Sequence, residues 1–436
     1  MSLLTALSSG TTGLESSSLE LSVVGDNIAN ANTIGFKGGR AAFEDALTQT
    51  VIGGTGEIGL GSRLQSVQKI LTQGALNSTG IATDLALQGN GFFIVKGNHN
   101  GQTADFFTRA GQFTVDKDGY MVNLEGLKVQ GFPADATGAL SAQPGDLLVG
   151  TASAQPRATG NVTVKANLQA DATVLNNAGV PIPFDPANPN TTSNFSTSMT
   201  VYDTLGSSHG VQVFFHKSAA GTWDWHAMTD GAGLTGGTPG QLTQIGDGAL
   251  TFDTAGRLAT SVQNNTFSFN PVGAVGPQAV TFNFGDALST AGNTGLAGVT
   301  QFASQSASTF IGQDGFGSGQ LASIRIDPTG NINGVFTNGQ TRVLGQVAVA
   351  GFSGPDRLER VGGNLYQQTQ TSGQPVVGAP GAGGRASVIS GSLEQSNVDL
   401  AEQFVRLIAA QRAFQANSKT ITTADQLLQE LIALKR

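Results

Sequence analysis

From Ser396 to Arg436 the chain contains neither Gly nor Pro, although the full sequence of 436 residues carries 61 Gly and 14 Pro. These two residues are the strongest helix breakers, so their joint absence over such a span permits one long helix. Within it Leu400, Leu407, Phe414, Ile421 and Leu428 recur at every seventh position. The companion line Phe404, Gln411, Ser418, Asp425 and Ile432 is apolar only at its ends. A narrow seam of period seven drives a helix to supercoil against a partner. The other end of the chain offers that partner, because Leu7, Leu14, Leu21 and Ile28 share the spacing.

Residues 1–31 are expected to form this second helix, but a weak one. Gly10 and Gly13 each cost roughly 1 kcal/mol relative to Ala, and the polar positions are mostly Ser and Thr. Such a helix must take most of its stability from packing. It is expected to stop in the Asn27–Lys37 segment, where the Asn cluster and Gly35 suit left-handed backbone. The C-terminal helix is expected to open at Ser396 or Asn397, with Asp399 and Glu402 placed to complement its dipole.

Everything between is β-like. Leu85-Ala86-Leu87, Phe92-Phe93-Ile94-Val95 and Gln112-Phe113-Thr114-Val115 are short apolar runs bounded by Gly or Asn. Asp116–Gly119, Asp203–Gly206, Asp253–Gly256 and Asp327–Gly330 each place Asp first and Gly fourth, the preference of a type I turn. Composition shifts near 135–160 and 285–300 bracket a further set of strands that includes Trp223-Asp224-Trp225. That is the pattern of one β domain inserted into another. Pro181–Pro189 reads as a loop, and Gln374–Gly384 as a flexible connector.

Several function classes find no support. The net charge is -8 and only 12% of residues are charged, so there is no basic patch for nucleic acid. The absence of Cys removes disulfides and thiolate metal sites. No apolar run has the length of a membrane span, and the N-terminus lacks the basic start of a cleavable signal peptide. Gly54-Thr55-Gly56-Glu57-Ile58-Gly59 matches GxGxxG literally, yet Leu60–Val67 after it alternates like a strand, where a dinucleotide site requires a helix. Asp116-Lys117-Asp118-Gly119 lacks the further ligands of a calcium loop. The four His are scattered: His209 and His216 fall on opposite faces of any one strand, and His226 sits in a Trp-flanked run. No catalytic group, cofactor or metal is expected, and no enzyme. Seam helices at both ends of a Gly-jointed β chain point instead to self-assembly.

Longer blocks carry a resemblance. Gly25-Asp26-Asn27-Ile28-Ala29-Asn30-Ala31-Asn32-Thr33-Ile34-Gly35-Phe36-Lys37 resembles the N-terminal signature of the rod-and-hook axial proteins of the bacterial flagellum. Leu85–Phe93 with Arg109–Phe113 is similar to that family's first β block, and Ser396–Leu400 with Ala410–Lys419 to its C-terminal helix. Tyr202-Asp203-Thr204-Leu205-Gly206 with Trp223, Gln313–Phe316 and Asn338–Gln340 resemble the hook branch rather than the shorter rod branch. Phe414 stands where the family usually has Tyr, and Asp26 where Asn is common.

The resemblance implies a mainly β fold with an α-helical terminal pair. The N- and C-terminal helices would form a coiled-coil core, followed outward by nested antiparallel β domains. In these terms 1–36 with 392–436 is the helical pair, 37–80 with 372–391 a connecting segment, 81–150 with 301–371 the first β domain and 151–300 the inserted one. The heptad residues would be the self-assembly helices, and Asn27, Asn30, Asn32, Gly35, Phe36 and Lys37 the family motif and hinge. The implied partners are further copies in a curved tube, a cap protein during assembly, and the distal rod and hook–filament junction proteins at the ends. Delivery would run through the flagellar type III export apparatus to the cell exterior, with no nucleic acid and no membrane insertion.

Overall fold

The computed structural model describes residues 3–46, 49–50, 57–177, 180–264, 268–288 and 292–434. The chain divides into two units: Met1–Ala152 with Leu321–Val335 and Thr341–Arg436, and Ser153–Gln320 with Phe336–Gln340. The return crossing therefore falls later than the composition shift near 300.

The first unit holds both helices, α1 (Leu3–Ala29) and α2 (Leu400–Leu434). They run antiparallel, since Gly10 lies beside Ile421, Gly13 beside Asn417, and Asn27 beside Gln403. α2 starts later than the sequence suggests. Asp399 is its N-cap, its carboxylate accepting from Ala401 N at 2.8 Å and Glu402 N at 3.2 Å, which leaves Ser396 and Asn397 outside the helix. Another face of α1 rests on the hairpin Gly39–Asp45/Ser62–Lys69, where Ser16 Oγ and Ser62 Oγ are 3.0 Å apart. That second strand begins just after the GxGxxG match, of which Gly54–Gly56 lie outside the described residues.

The β body of this unit centres on the hairpin Phe92–His99/Gln102–Thr108. Lys128–Pro133 pairs on one side of it and Leu365–Gln367 on the other, which continues into Glu359–Gly362. Phe92, Phe93, Ile94 and Val95 are all buried, so this antiparallel sheet is covered on both faces. One layer gathers Phe92, Ile94, Phe107, Leu358 and Tyr366. On the opposite face Phe93 meets Phe113 edge-on at 5.2 Å.

The second unit is a sandwich. Phe195–Tyr202, Ser208–Ala219, Thr222–Asp230, Leu242–Phe252 and Leu258–Gln263 form a five-stranded antiparallel meander. Asn161–Asn167 pairs antiparallel with Ala307–Gln313 and parallel with Thr281–Asn283. Strand alternation sends Trp223 and Trp225 inward, where Trp225 lies 5.2 Å from Phe282 and 5.1 Å from Phe284. The four Asp-x-x-Gly segments are turns, each Gly N–H reaching its Asp carbonyl at 2.9–3.1 Å. Asp203 shows why Asp leads them: its carboxylate accepts from Leu205 N, Ser207 N and His209 Nε2.

Candidate assembly site and its junction

The helix pair is zipped by small residues. An added Cβ at Gly13 would lie 2.6 Å from the Asn417 carboxamide, and one at Gly10 2.9 Å from Ile421. Ser17, Ala410 and Ala424 are buried along the same contact, as is the pair Asn27 and Gln403. Close approach needs side chains this short, so the two glycines that weaken α1 locally are what lets α2 approach. Of the heptad residues, Leu7, Leu14, Leu21, Ile28, Leu407, Ile421 and Leu428 are half-buried. Leu400, Phe404 and Phe414 are 43%, 51% and 40% exposed. The line of α2 that faces α1 beside Leu407, Ile421 and Leu428 is thus Gln403, Ala410, Asn417 and Ala424, one position before the line through Phe404. Phe404 instead joins Leu400, Val405 and Ile408 in an uncovered apolar stripe.

The motif residues converge where the pair meets the β body. Asn27, at the last turn of α1, is buried and forms a two-way bond with Gly39, donating to its carbonyl and accepting from its N–H, both at 2.8 Å. It also donates to Gln403 Oε1 at 3.1 Å. Asn30 donates to Asp26 O at 2.9 Å, and Asn32 is exposed. Gly35 turns the chain with φ 70°, and a Cβ there would sit 2.5 Å from the backbone N of Ala110. No other residue type fits that place without moving main chain.

Beyond the turn, Lys37 is fully buried against the equally buried Glu394, Nζ to Oε1 at 2.6 Å. Lys37 also donates to Thr72 O at 2.7 Å. The same carboxylate accepts from Gly74 N at 2.9 Å and from Arg109 Nη1 at 3.2 Å. Two buried cations therefore share one buried anion. Burial holds the Lys37 ammonium below its ordinary pKa, with Glu394 pulling the other way, and burial lowers Arg109 as well. Asn397, freed from the helix, accepts from Gly38 N and donates to Ile70 O. From the β body, Arg360 reaches in to donate to Lys37 O, pairs with Asp26 at 3.4 Å and lies 4.7 Å over the Phe36 ring.

Sequence reasoning finds Lys37 but not its role, and it passes over Glu394 and Arg360. One signal was available: Lys37 is the first cation of the chain and follows directly on an apolar Phe. Among the described residues there is no cluster of three or more metal-ligating side chains, and no helix long and apolar enough to cross a membrane.

Terminal helices zipped together and locked to a β body, with an apolar stripe left bare, define a structural subunit of the axial, polymer-forming class. Family models place it further. The flagella basal body rod protein model matches residues 7–37, and the flagellar hook protein FlgE/F/G D1 domain residues 86–180. The flagellar basal body protein FlaE D2 domain matches 167–316, and the flagellar basal body rod FlgEFG protein C-terminal model 389–434. Flagellar hook protein FlgE of Treponema pallidum is 36% identical, over 99% of both chains. The Borreliella burgdorferi protein of that name is also 36% identical, and the Escherichia coli one 30%, each over 99% of this chain and at least 99% of its own. The chain belongs to the flagellar hook protein family, and it is a structural subunit of the flagellar hook.

Proposed function

We propose that the α1–α2 pair forms the inner wall of the hook tube and that the bare stripe Leu400, Phe404, Val405 and Ile408 is where it meets the next copy. The observation that carries this reading is the stripe itself. Four large apolar side chains stand exposed on a helix whose other face is already satisfied by α1, and exposed apolar surface of that kind marks an interaction site. The heptad residues Leu7, Leu14, Leu21, Ile28, Leu407, Ile421 and Leu428 then hold the pair together, while Leu400, Phe404 and Phe414 serve contacts between copies. Asn27, Gly35, Phe36 and Lys37 are the junction through which twist of the wall reaches the β body.

On this reading the chain polymerises into a curved tube linking rod to filament. A cap protein guides its growth, the distal rod and hook–filament junction proteins adjoin its ends, and it reaches the exterior by flagellar type III export. The test is Phe404→Glu together with Ile408→Glu, followed by electron microscopy of purified protein and of shed appendages. The expected result is a monomer with wild-type helix content that forms no tubes. Normal tubes from the double variant would refute the assignment of the stripe.

A further inference from the structure

The five-stranded sheet of the second unit carries a cavity of about 540 Å³ on the face opposite its tryptophan core. Phe184, His216, Ser218, Asp224, His226 and Asp247 line it, and no Lys or Arg does. Strand register puts these groups side by side. His216 stands across from Asp224, His226 across from Asp247, and Asp224 and His226 share a face two residues apart. Phe184, from the proline-rich loop, lies flat on His226 with ring centroids 3.9 Å apart at 4°.

The hydrogen bonds dictate what this cavity offers. His216, only 3% exposed, has Nδ1 2.8 Å from Thr192 O. A carbonyl can only accept, so in the neutral ring Nδ1 carries the hydrogen and Nε2 is left a bare acceptor. His226 is fixed in the same sense. Gln244 donates its amide to Asp247 Oδ1 at 3.3 Å, which turns Gln244 Oε1 toward His226 Nδ1 at 3.2 Å. The Asp224 carboxylate makes no ion pair or hydrogen bond among the described residues. The two Nε2 atoms and the Asp224 carboxylate are therefore acceptors left over, beside the Ser218 hydroxyl, which can accept or donate, and the Asp224 and Asp247 carboxylates make the lining negative.

We propose that this cavity binds an organic cation, an alkylammonium or guanidinium group, through His216 Nε2, His226 Nε2 and the Asp224 carboxylate, with Phe184 along its alkyl stem. A metal ion suits the cavity less. It needs its ligands drawn to one point at ~2 Å, and no such group of three exists among the described residues. An ammonium needs no such convergence, since its three N–H donors reach separate acceptors at about 2.8 Å. Burial also lowers the His226 pKa, with the Gln244 bond and the Asp247 and Asp224 charges opposing. The cation is either a Lys or Arg side chain of a neighbouring copy or a free amine.

The experiment is NMR of the monomer, following the imidazole signals during titration with n-butylammonium chloride, zinc chloride and sodium acetate. The expected result is a saturable shift of His216 and His226 with the amine, while His99 and His209 stay still. Asp224→Asn is expected to weaken binding by about tenfold, the usual effect of losing a charged hydrogen bond, and Gln244→Leu, separately, to weaken it by releasing the His226 ring from its fixed tautomer. The tryptophan fluorescence melt shows that each variant is folded, and either one suffices. Zinc acting below the amine concentration, a response to acetate, or no saturable amine shift would each overturn the proposal. Assembled hooks then assign the source. Exclusion of labelled putrescine that the monomer binds identifies a neighbour's side chain, and undiminished binding identifies a free amine.

Discussion

Removing the shared carboxylate of the junction is expected to destabilise the first unit far more than removing one of its cations. The charge count gives the order. Lys37 and Arg109 carry two positive charges against the single negative charge of Glu394, and the lysine and carboxylate side chains are fully buried. Glu394→Gln leaves two cations with no counter-charge and turns an amide N–H toward Arg109 or Lys37, both donors. Breaking a buried pair in this way costs about 3–5 kcal/mol. Lys37→Met leaves the Arg109–Glu394 pair balanced and forfeits the hydrogen bonds of Nζ, at a cost of about 1–3 kcal/mol. The readouts separate naturally, because Trp223 and Trp225 both lie in the second unit, whereas ellipticity at 222 nm reports α1 and α2. In urea titrations the 222 nm transition should move down for both variants, further for Glu394→Gln, while the fluorescence transition stays in place. The pH dependence follows from the lowered pKa of Lys37, whose first cause is burial. Between that lowered value and the ordinary lysine value the unfolded chain binds more protons than the folded one, so stability rises with pH across this window. The Lys37→Met variant should lose that rise. The argument fails if Lys37→Met proves as costly as Glu394→Gln, or if the fluorescence transition shifts equally.

Two further outcomes follow from other parts of the chain. Gly13→Leu would drive a branched side chain into the Asn417 carboxamide, and overpacking of about 1–3 kcal/mol should exceed the roughly 1 kcal/mol gained in helix propensity. A higher 222 nm midpoint would contradict the close-packing account. In the second unit, burial pushes the Asp203 carboxyl up, but His209 and the Ser207 and Leu205 N–H groups outweigh it and hold the group below its ordinary value. Its stabilisation is present above the ordinary carboxylate pKa and is lost as pH falls through the folded one. Asp203→Ala should lower the tryptophan transition by about 1–3 kcal/mol at neutral pH and flatten its acid limb. An unchanged acid limb would count against it.

The helices were legible because period seven is written in large apolar residues, and the turns because Asp and Gly at fixed offsets have a local mechanism. The helix contact itself was not. A scan for apolar seams treats Gly10 and Gly13 as a loss of propensity and passes over Gln403, Ala410, Asn417 and Ala424, since small and polar residues carry no hydrophobic signal. The contact is nevertheless built on them, because backbone proximity substitutes for side-chain bulk. The junction was hidden for a different reason. Lys37 and Glu394 are 357 positions apart, and no local window relates them. Asn397 looks like a helix cap by residue type, yet its side chain ties Gly38 to Ile70, while Asp399 caps the helix.

The junction also bears on where a hook subunit of this kind can yield. Between α1 and the β body the chain runs through Gly35, whose φ 70° would ordinarily mark a hinge. Here the turn is pinned on every side. Gly35 N–H donates to Glu394 O at 2.8 Å, Asn364 holds Ile34 O at 3.1 Å, and Arg360 grips Lys37 O, Asp26 and the Phe36 ring. Rotating the turn by even one rotamer step would strand the Lys37 and Arg109 charges in apolar surroundings, a penalty much larger than thermal energy. The glycine in the motif thus occupies a turn held by hydrogen bonds with Glu394, Asn364 and Arg360 on its several sides.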